Sequence, residues 1–258
     1  MNQAIADLFA LGEVWAAVAF AVFLRVGAAM ALFPAFGERS VPERVRLMLA
    51  LGFTLVVIPA AEPVLSQAVD EGIRPVTFLL TETLAGLAIG IAIRLFVLAL
   101  QIAGTIAAQA TSLAQIFGGQ HADPQPAIGH ILLISGLALA VMLGLHVRLA
   151  EMLILSYDVF PPGRLPGAEL LSGWGLSRIV QAFSLGFTLA APFVVASLVY
   201  NVALGVINRA MPQLMVAFVG APAITAGGLL LLFATAPLAL GIWHDAMAAF
   251  LANPFGAW

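Results

Sequence analysis

The amino-acid sequence predicts an all-helical, polytopic membrane protein: about six apolar, partly broken helices or hairpins in a single helical domain over residues 1–258. Three observations predict this. Of the 258 residues, 62% are hydrophobic and 9% charged, whereas soluble domains run near 45–50% and about 25%. The mean hydropathy is +1.08, so too few polar side chains exist to cover the outside of a water-soluble globule of this length. The apolar residues also fall into runs long enough to cross a hydrocarbon core of about 30 Å, which takes about 20 residues of helix.

The first run covers residues 14–36, with Arg25 at its middle. The stretch before it holds Asp7 and Glu13 and no arginine, unlike the basic start of a cleaved signal peptide, so the first run is expected to stay in the mature protein. Ser40 and Glu43 then fit a capping box with Pro42 in the first turn, which predicts a second helix starting there. It is expected to end at Ile58, before Pro59, Glu62 and Pro63, and a polar connector with Asp70, Glu71, Arg74 and Pro75 follows. Residues 76–115 contain no proline, so one helix of about 60 Å or a tight hairpin fits there.

The two glycines and the proline of Phe117-Gly-Gly-Gln-His-Ala-Asp-Pro124 break that run, and Asp123 suits the N-cap of a fourth, over residues 127–147. Residues 148–157 read as its continuation or as a short amphipathic helix, and residues 160–167 as a loop. The last two runs, 179–207 and 215–243, carry Pro192 and then Gly220, Pro222, Gly227, Gly228 and Pro237. Such interruptions survive at membrane depth only where neighbouring protein re-satisfies the freed backbone groups. Arg-x-x-Pro occurs at Arg39 and at Arg209, which does not amount to a repeat. Arg39, Arg44 and Arg46 form the densest basic loop, expected on the cytoplasmic side, with the acidic connector at Asp70 outside.

Polar residues inside the apolar runs are the informative minority. Arg94, Gln101, Thr105, Ala108, Ser112 and Gln115 share one helical face, with Gly90 beside them. That face is either a close-packing strip of small residues and amides or the lining of a wetted channel. Arg25, Glu82, Arg94 and Arg209 lie within or at the ends of apolar runs, where each charge costs about 2.5–3.5 kcal/mol and needs a partner. For Glu82 this means an ion pair or a proton relay; arginine does not deprotonate and makes a poor relay.

Other function classes lack their residues. The ten basic residues are all arginine against thirteen acids, for a net charge of −3, so there is no basic field for nucleic acid. Cysteine is absent, which removes disulfides, thiol catalysis and thiolate metal sites. The histidines, His121, His130, His146 and His244, form no i, i+3 or i+4 pair. No G-x-S-x-G, H-E-x-x-H, G-x-G-x-x-G or Walker A pattern is present. No enzyme activity, metal or cofactor is expected.

Taken together, the polar islands resemble the FliR family of flagellar type III export-gate proteins over roughly residues 20–245. The resemblance is carried by Leu24-Arg25, Pro34, Glu38-Arg-Ser-Val-Pro42 and Arg44-Val-Arg46, then by Ala103-Gly-Thr105, Gln109 and Asp123-Pro124. It continues in Gly144-Leu-His146, Ser156-Tyr157 and Pro161, and in Ala203-Leu-Gly205, Asn208-Arg-Ala-Met-Pro-Gln-Leu214, Gly220 and Pro222. The stretch Gly118-Gly-Gln-His-Ala122 departs from the family's more aromatic pattern.

The resemblance implies an inner-membrane subunit of the flagellar basal body that assembles with FliP- and FliQ-like subunits into a pore for unfolded proteins. FlhB- and FlhA-like components would lie on its cytoplasmic side, and membrane lipid around it. It further implies that Gln115, Ile116, Phe117, Gly118, Gly119, Gln120, His121, Ala122, Asp123 and Pro124 plug that pore, the plain alternative being a helix connector. Arg94, Gln101, Thr105 and Ser112 would line or pack it, and Arg25, Arg39, Asn208, Arg209, Pro212 and Gln213 would make subunit contacts. The equivalent subunit of a virulence injectisome, or a small secondary transporter, are the rival readings; the transporter would show an inverted repeat. Deleting residues 115–124 is expected to leave the complex assembled but leaky to small ions, which a membrane conductance measurement checks.

Overall fold

The computed structural model describes residues 2–112, 127–165, 167–211 and 216–256. They form seven helices in the order α1 (Asn2–Met30), α2 (Glu43–Asp70), α3 (Pro75–Ser112), α4 (Ala127–Met142), α5 (Leu145–Val159), α6 (Ala168–Ala210) and α7 (Val216–Ala252). Among the described residues five helices are long and apolar enough to cross a membrane, and α4 with α5 would add a sixth as a broken pair.

Most departures from the expected boundaries lengthen the helices. The second helix does not stop before Pro59: α2 runs through Pro59 and Pro63 to Asp70. The buried residues of α2, Ala50, Thr54, Val57, Ala61, Leu65 and Ala68, form one stripe, while both prolines lie on the exposed side. The two missing N–H groups therefore fall together on the outer face, and the packed stripe keeps its ladder. The expected capping box is not formed either; Pro42 is the N-cap and no side chain caps the helix. In its place the Pro42 carbonyl accepts from the amides of Val45 (3.0 Å) and Arg46 (3.1 Å).

The 76–115 run is one helix as far as it is described, α3, and not a hairpin. Helix α1 ends at Met30, six residues early, because the chain turns at Pro34 and Ala35, which takes a φ of 65°. Gly144, at φ +86°, separates α4 from α5, so residues 148–157 belong to a helix of their own. Helix α6 passes through Pro192 and starts well before residue 179.

The chain divides into two compact units, each assembled from separate stretches. The first comprises Met1–Leu95, Val141–Arg178 and Ala248–Trp258. In it α1 packs on α2 and α2 on α5. Its interior includes Val18, Val22, Val26 and Phe33 near the start, Phe78, Ile89 and Ile93 of α3, and Leu149 and Leu153 of α5, all buried. α1 and α3 approach at two glycines four residues apart. A Cβ on Gly86 would collide with the Arg25 carbonyl, and one on Gly90 would sit 2.9 Å from the Leu32 Cβ. Small residues at this spacing let two helix backbones touch.

The second unit comprises Phe96–Ala140 and Ile179–Met247. Ala107, Ala110, Ile128, Leu132, Phe193 and Leu232 form its core cluster. α3 and α4 cross backbone to backbone at Gly104 and Gly129. Trp243 is fully buried, and its indole N–H donates to the Phe96 carbonyl at 2.8 Å, the polar partner a buried tryptophan needs.

The crossing at Gly86 predicts a contrast. Gly86→Val is expected to destabilise the chain by about 1–3 kcal/mol, as overpacking does. Gly52→Ala, in α2 with nothing within 4 Å of the added Cβ, is expected to be neutral or stabilising by up to about 1 kcal/mol. Thermal unfolding of the purified full chain in detergent compares the two.

Candidate functional site

The most polar place in the interior of the first unit is built around Arg25. This side chain sits in the C-terminal part of α1, five residues before its end, and is 1% exposed. A guanidinium carries five N–H donors and never loses its charge, so its burial demands acceptors from several directions. Nε donates to Glu82 Oε2 of α3 at 2.8 Å, Nη1 to Ser156 Oγ of α5 at 3.0 Å, and Nη2 to the Phe160 carbonyl at 2.8 Å. The Tyr157 ring covers one face of the cation, 3.7 Å from the ring centre, a desolvated cation–π contact.

Glu82, wholly buried, uses its other oxygen: Oε1 accepts from the Gly163 amide at 3.3 Å and from the Thr81 hydroxyl at 3.5 Å. Gly163 adopts φ +73°, which a side chain would resist, and a Cβ there would come within 2.7 Å of Ile73 and 3.3 Å of Phe78. One ion pair thus fastens α1, α3, α5 and the loop after α5.

A second pair holds the turn between α1 and α2. Arg94 Nη1 donates to Glu38 Oε1, with Nη2 at 3.5 Å from Oε2, both side chains being partly exposed. Arg46 Nη2 donates to the Glu38 carbonyl at 3.0 Å. The turn with its non-helical Ala35 is in this way tied to both α2 and α3.

The other expected site residues are scattered. Arg25, expected at a contact with another subunit, instead spends its hydrogen bonds inside its own chain, and its burial leaves no surface for a neighbour. Glu82 is neutralised by Arg25, which is the ion-pair alternative for that residue. Along α3, Gln101 is half-buried and Thr105 exposed, its hydroxyl donating to the Gln101 carbonyl of the same helix at 2.8 Å; the Ser112 side chain lies outside the description. Arg39, Asn208 and Arg209 are exposed, and Arg209 sits in the last turn of α6, where a cation favours the helix dipole. Gln115 to Pro124, and Pro212 with Gln213, lie outside the described residues.

Sequence reasoning missed the joining of Ser156, Tyr157 and Phe160 to Arg25 and of Gly163 to Glu82. One signal pointed to half of it: an arginine and a glutamate, each alone within an apolar run, are the natural partners for each other. No local pattern marks the rest, since a carbonyl and a hydroxyl more than a hundred residues away in sequence supply it. Chemically the cluster is a fastener. Arg25 cannot give up its proton, and both Glu82 oxygens are engaged. Among the described residues no group of three or more metal-ligating side chains occurs.

The profile of the family described as bacterial export proteins, family 1, matches residues 16–250. The chain is 33% identical over 234 residues to the flagellar biosynthetic protein FliR of Caulobacter vibrioides, covering 88% of this chain and 92% of that one. With FliR of Escherichia coli it shares 29% identity, over 87% and 86% of the two chains. With FliR of Bacillus subtilis it shares 27%, over 78% and 79%.

The fastener predicts an asymmetry between its members. Glu82→Ala leaves a buried guanidinium without its counter-charge and is expected to cost about 3–5 kcal/mol. The Tyr157 hydroxyl is buried with no hydrogen-bond partner, so Tyr157→Phe keeps the ring over the cation and is expected to be neutral or stabilising by up to about 1–3 kcal/mol. Thermal denaturation of the purified chain in detergent checks both.

Proposed function

The chain belongs to family 1 of the bacterial export proteins, among the FliR proteins of the flagellum, and from that footing we propose that it is one subunit of the flagellar type III export gate. It is a flagellar protein-export component. In the proposed reading it sits in the bacterial inner membrane at the flagellar basal body. There it assembles with FliP- and FliQ-like subunits into the pore that unfolded flagellar proteins traverse, with FlhB- and FlhA-like components on the cytoplasmic side. Its part is to hold shape, not to catalyse. The flagellar names of the relatives favour this over an injectisome.

The observation that carries the reading is the length of apolar helix left uncovered. From Ile179 to Ile207, α6 exposes Val180, Phe183, Phe187, Val195, Val199 and Val206, among others, along its course. At 1.5 Å per residue that stretch is about 42 Å long. Fitting it into a hydrocarbon core of about 30 Å needs a tilt near 45°, beyond the ordinary range of about 0–40°. Less tilted, its ends would meet water, where such residues need a protein neighbour. Sister helices of the same build supply that cover and also the backbone partners that Pro192 and Pro237 call for. Exposed Asn208 and Arg209, followed by Pro212 and Gln213, and exposed Arg39 are placed by this reading at subunit contacts, where a guanidinium binds a neighbour's backbone carbonyls.

The test is isolation of the tagged chain from its own membranes in mild detergent. FliP- and FliQ-like subunits are expected to co-purify, and Arg209→Ala is expected to lower their recovery several-fold. A chain recovered alone as a stable monomer that moves a solute across reconstituted vesicles overturns the assignment.

A further inference from the structure

The loop that Arg25 and Glu82 hold from one side is held from the other by the segment after α7. Phe160 caps α5 with φ −114° and ψ 81°; its amide donates to the Ser156 carbonyl at 2.8 Å, while its carbonyl and its ring, turned out of the helix, are held by side chains. Its carbonyl accepts from Arg25 at 2.8 Å. Its ring, 2% exposed, meets Trp174 edge-on at 6.5 Å and 78°, and Phe255 at 5.6 Å and 87°. Trp174 and Phe255 stack on each other at 6.2 Å and 25°. The indole N–H of Trp174 donates to the Pro254 carbonyl at 3.0 Å. One turn further along α6, Arg178 lies over the Phe250 ring of α7 at 5.0 Å, so α6 grips both the last turn of α7 and the segment after it. All of these residues belong to the first unit.

We propose that residues 253–256 are a strap that positions Phe160, and that through Phe160 the docking of this segment sets whether the Arg25–Glu82 fastener is closed. Two anchors meet at one residue: the carbonyl of Phe160 faces the cation and its ring faces the strap. When the strap lifts, the Phe160 ring loses Phe255, and Trp174 of α6 loses both its stacking partner and the Pro254 carbonyl that orient it against that ring, so the Phe160 carbonyl is free to turn. Arg25 then loses an acceptor, and Gly163, three residues on, is drawn from Glu82. Trp174 and Phe255 are positioning residues; neither touches the ion pair. Anything that binds or displaces residues 253–256 therefore acts on the joint between α1, α3 and α5. The inference stands on this geometry and not on the export-gate reading.

Hydrogen exchange on the full-length chain in detergent, and in the native complex, tests it. In Phe255→Ala, and in a chain ending at Ala252, exchange over residues 156–164 is expected to rise about tenfold or more, as local opening requires, while α4 keeps its native rates. Trp174→Phe, which keeps a ring and removes the bond to Pro254, is expected to give a smaller rise in the same segment. With the fastener already weakened by Glu82→Gln, Phe255→Ala is expected to add little. Unchanged exchange over residues 156–164 overturns the proposal. So does an equal rise in α4, which marks general loosening, or a full additional effect in the Glu82→Gln background.

Discussion

A permanently charged guanidinium buried in an apolar interior is the constraint on which the first unit depends. Removing an ion from water into such surroundings costs several kcal/mol even after relaxation, and the cost is met only when every donor has a partner. Arg25 therefore draws in a carboxylate from α3, a hydroxyl from α5 and a carbonyl from the loop beyond it. The arrangement adds little net stability over a well-packed apolar core, but it admits one register of these elements and penalises others. In a helix whose other buried positions, among the described side chains, are Val, Ala and Met, interchangeable in their packing, such a polar point selects one alignment of helices that hydrophobicity alone would let slide.

Composition and run length were enough to read the class of the fold, because lipid-facing or partner-facing chains cannot hide their shortage of polar residues. In the middle of the chain the proline-free stretch allowed one long helix or a hairpin, and over its described residues it is the single helix α3. Boundaries misled where proline was taken as a stop. Pro59 and Pro63 both lie inside α2, and the reason is visible in which face they occupy, whereas Pro192 was expected inside its run and lies inside α6. A one-dimensional pattern lists the breaker but not the side of the helix it falls on.

The candidate site was legible only in part, for a related reason. A lone charge in an apolar run announces that it needs a partner, so Arg25 and Glu82 stood out. Phe160, Trp174 and Phe255 did not, since aromatic residues are unremarkable in such a sequence and their value lies in one another's positions. The family islands Leu24-Arg25, Ser156-Tyr157 and Pro161 adjoin or contain residues of the cluster, yet their spacing in sequence gives no hint that they meet.

The contact at Gly86 gives the first unit a mechanical character. Where the backbone of α3 lies directly on the Arg25 carbonyl, no layer of flexible side chains separates the two rods, and the ion pair one turn away removes the remaining freedom to roll. Compliance in a helical assembly ordinarily resides in such side-chain layers. Here it is missing, so a push on α1 reaches α3 undamped, and the pair behaves as a stiff lever instead of a sliding joint.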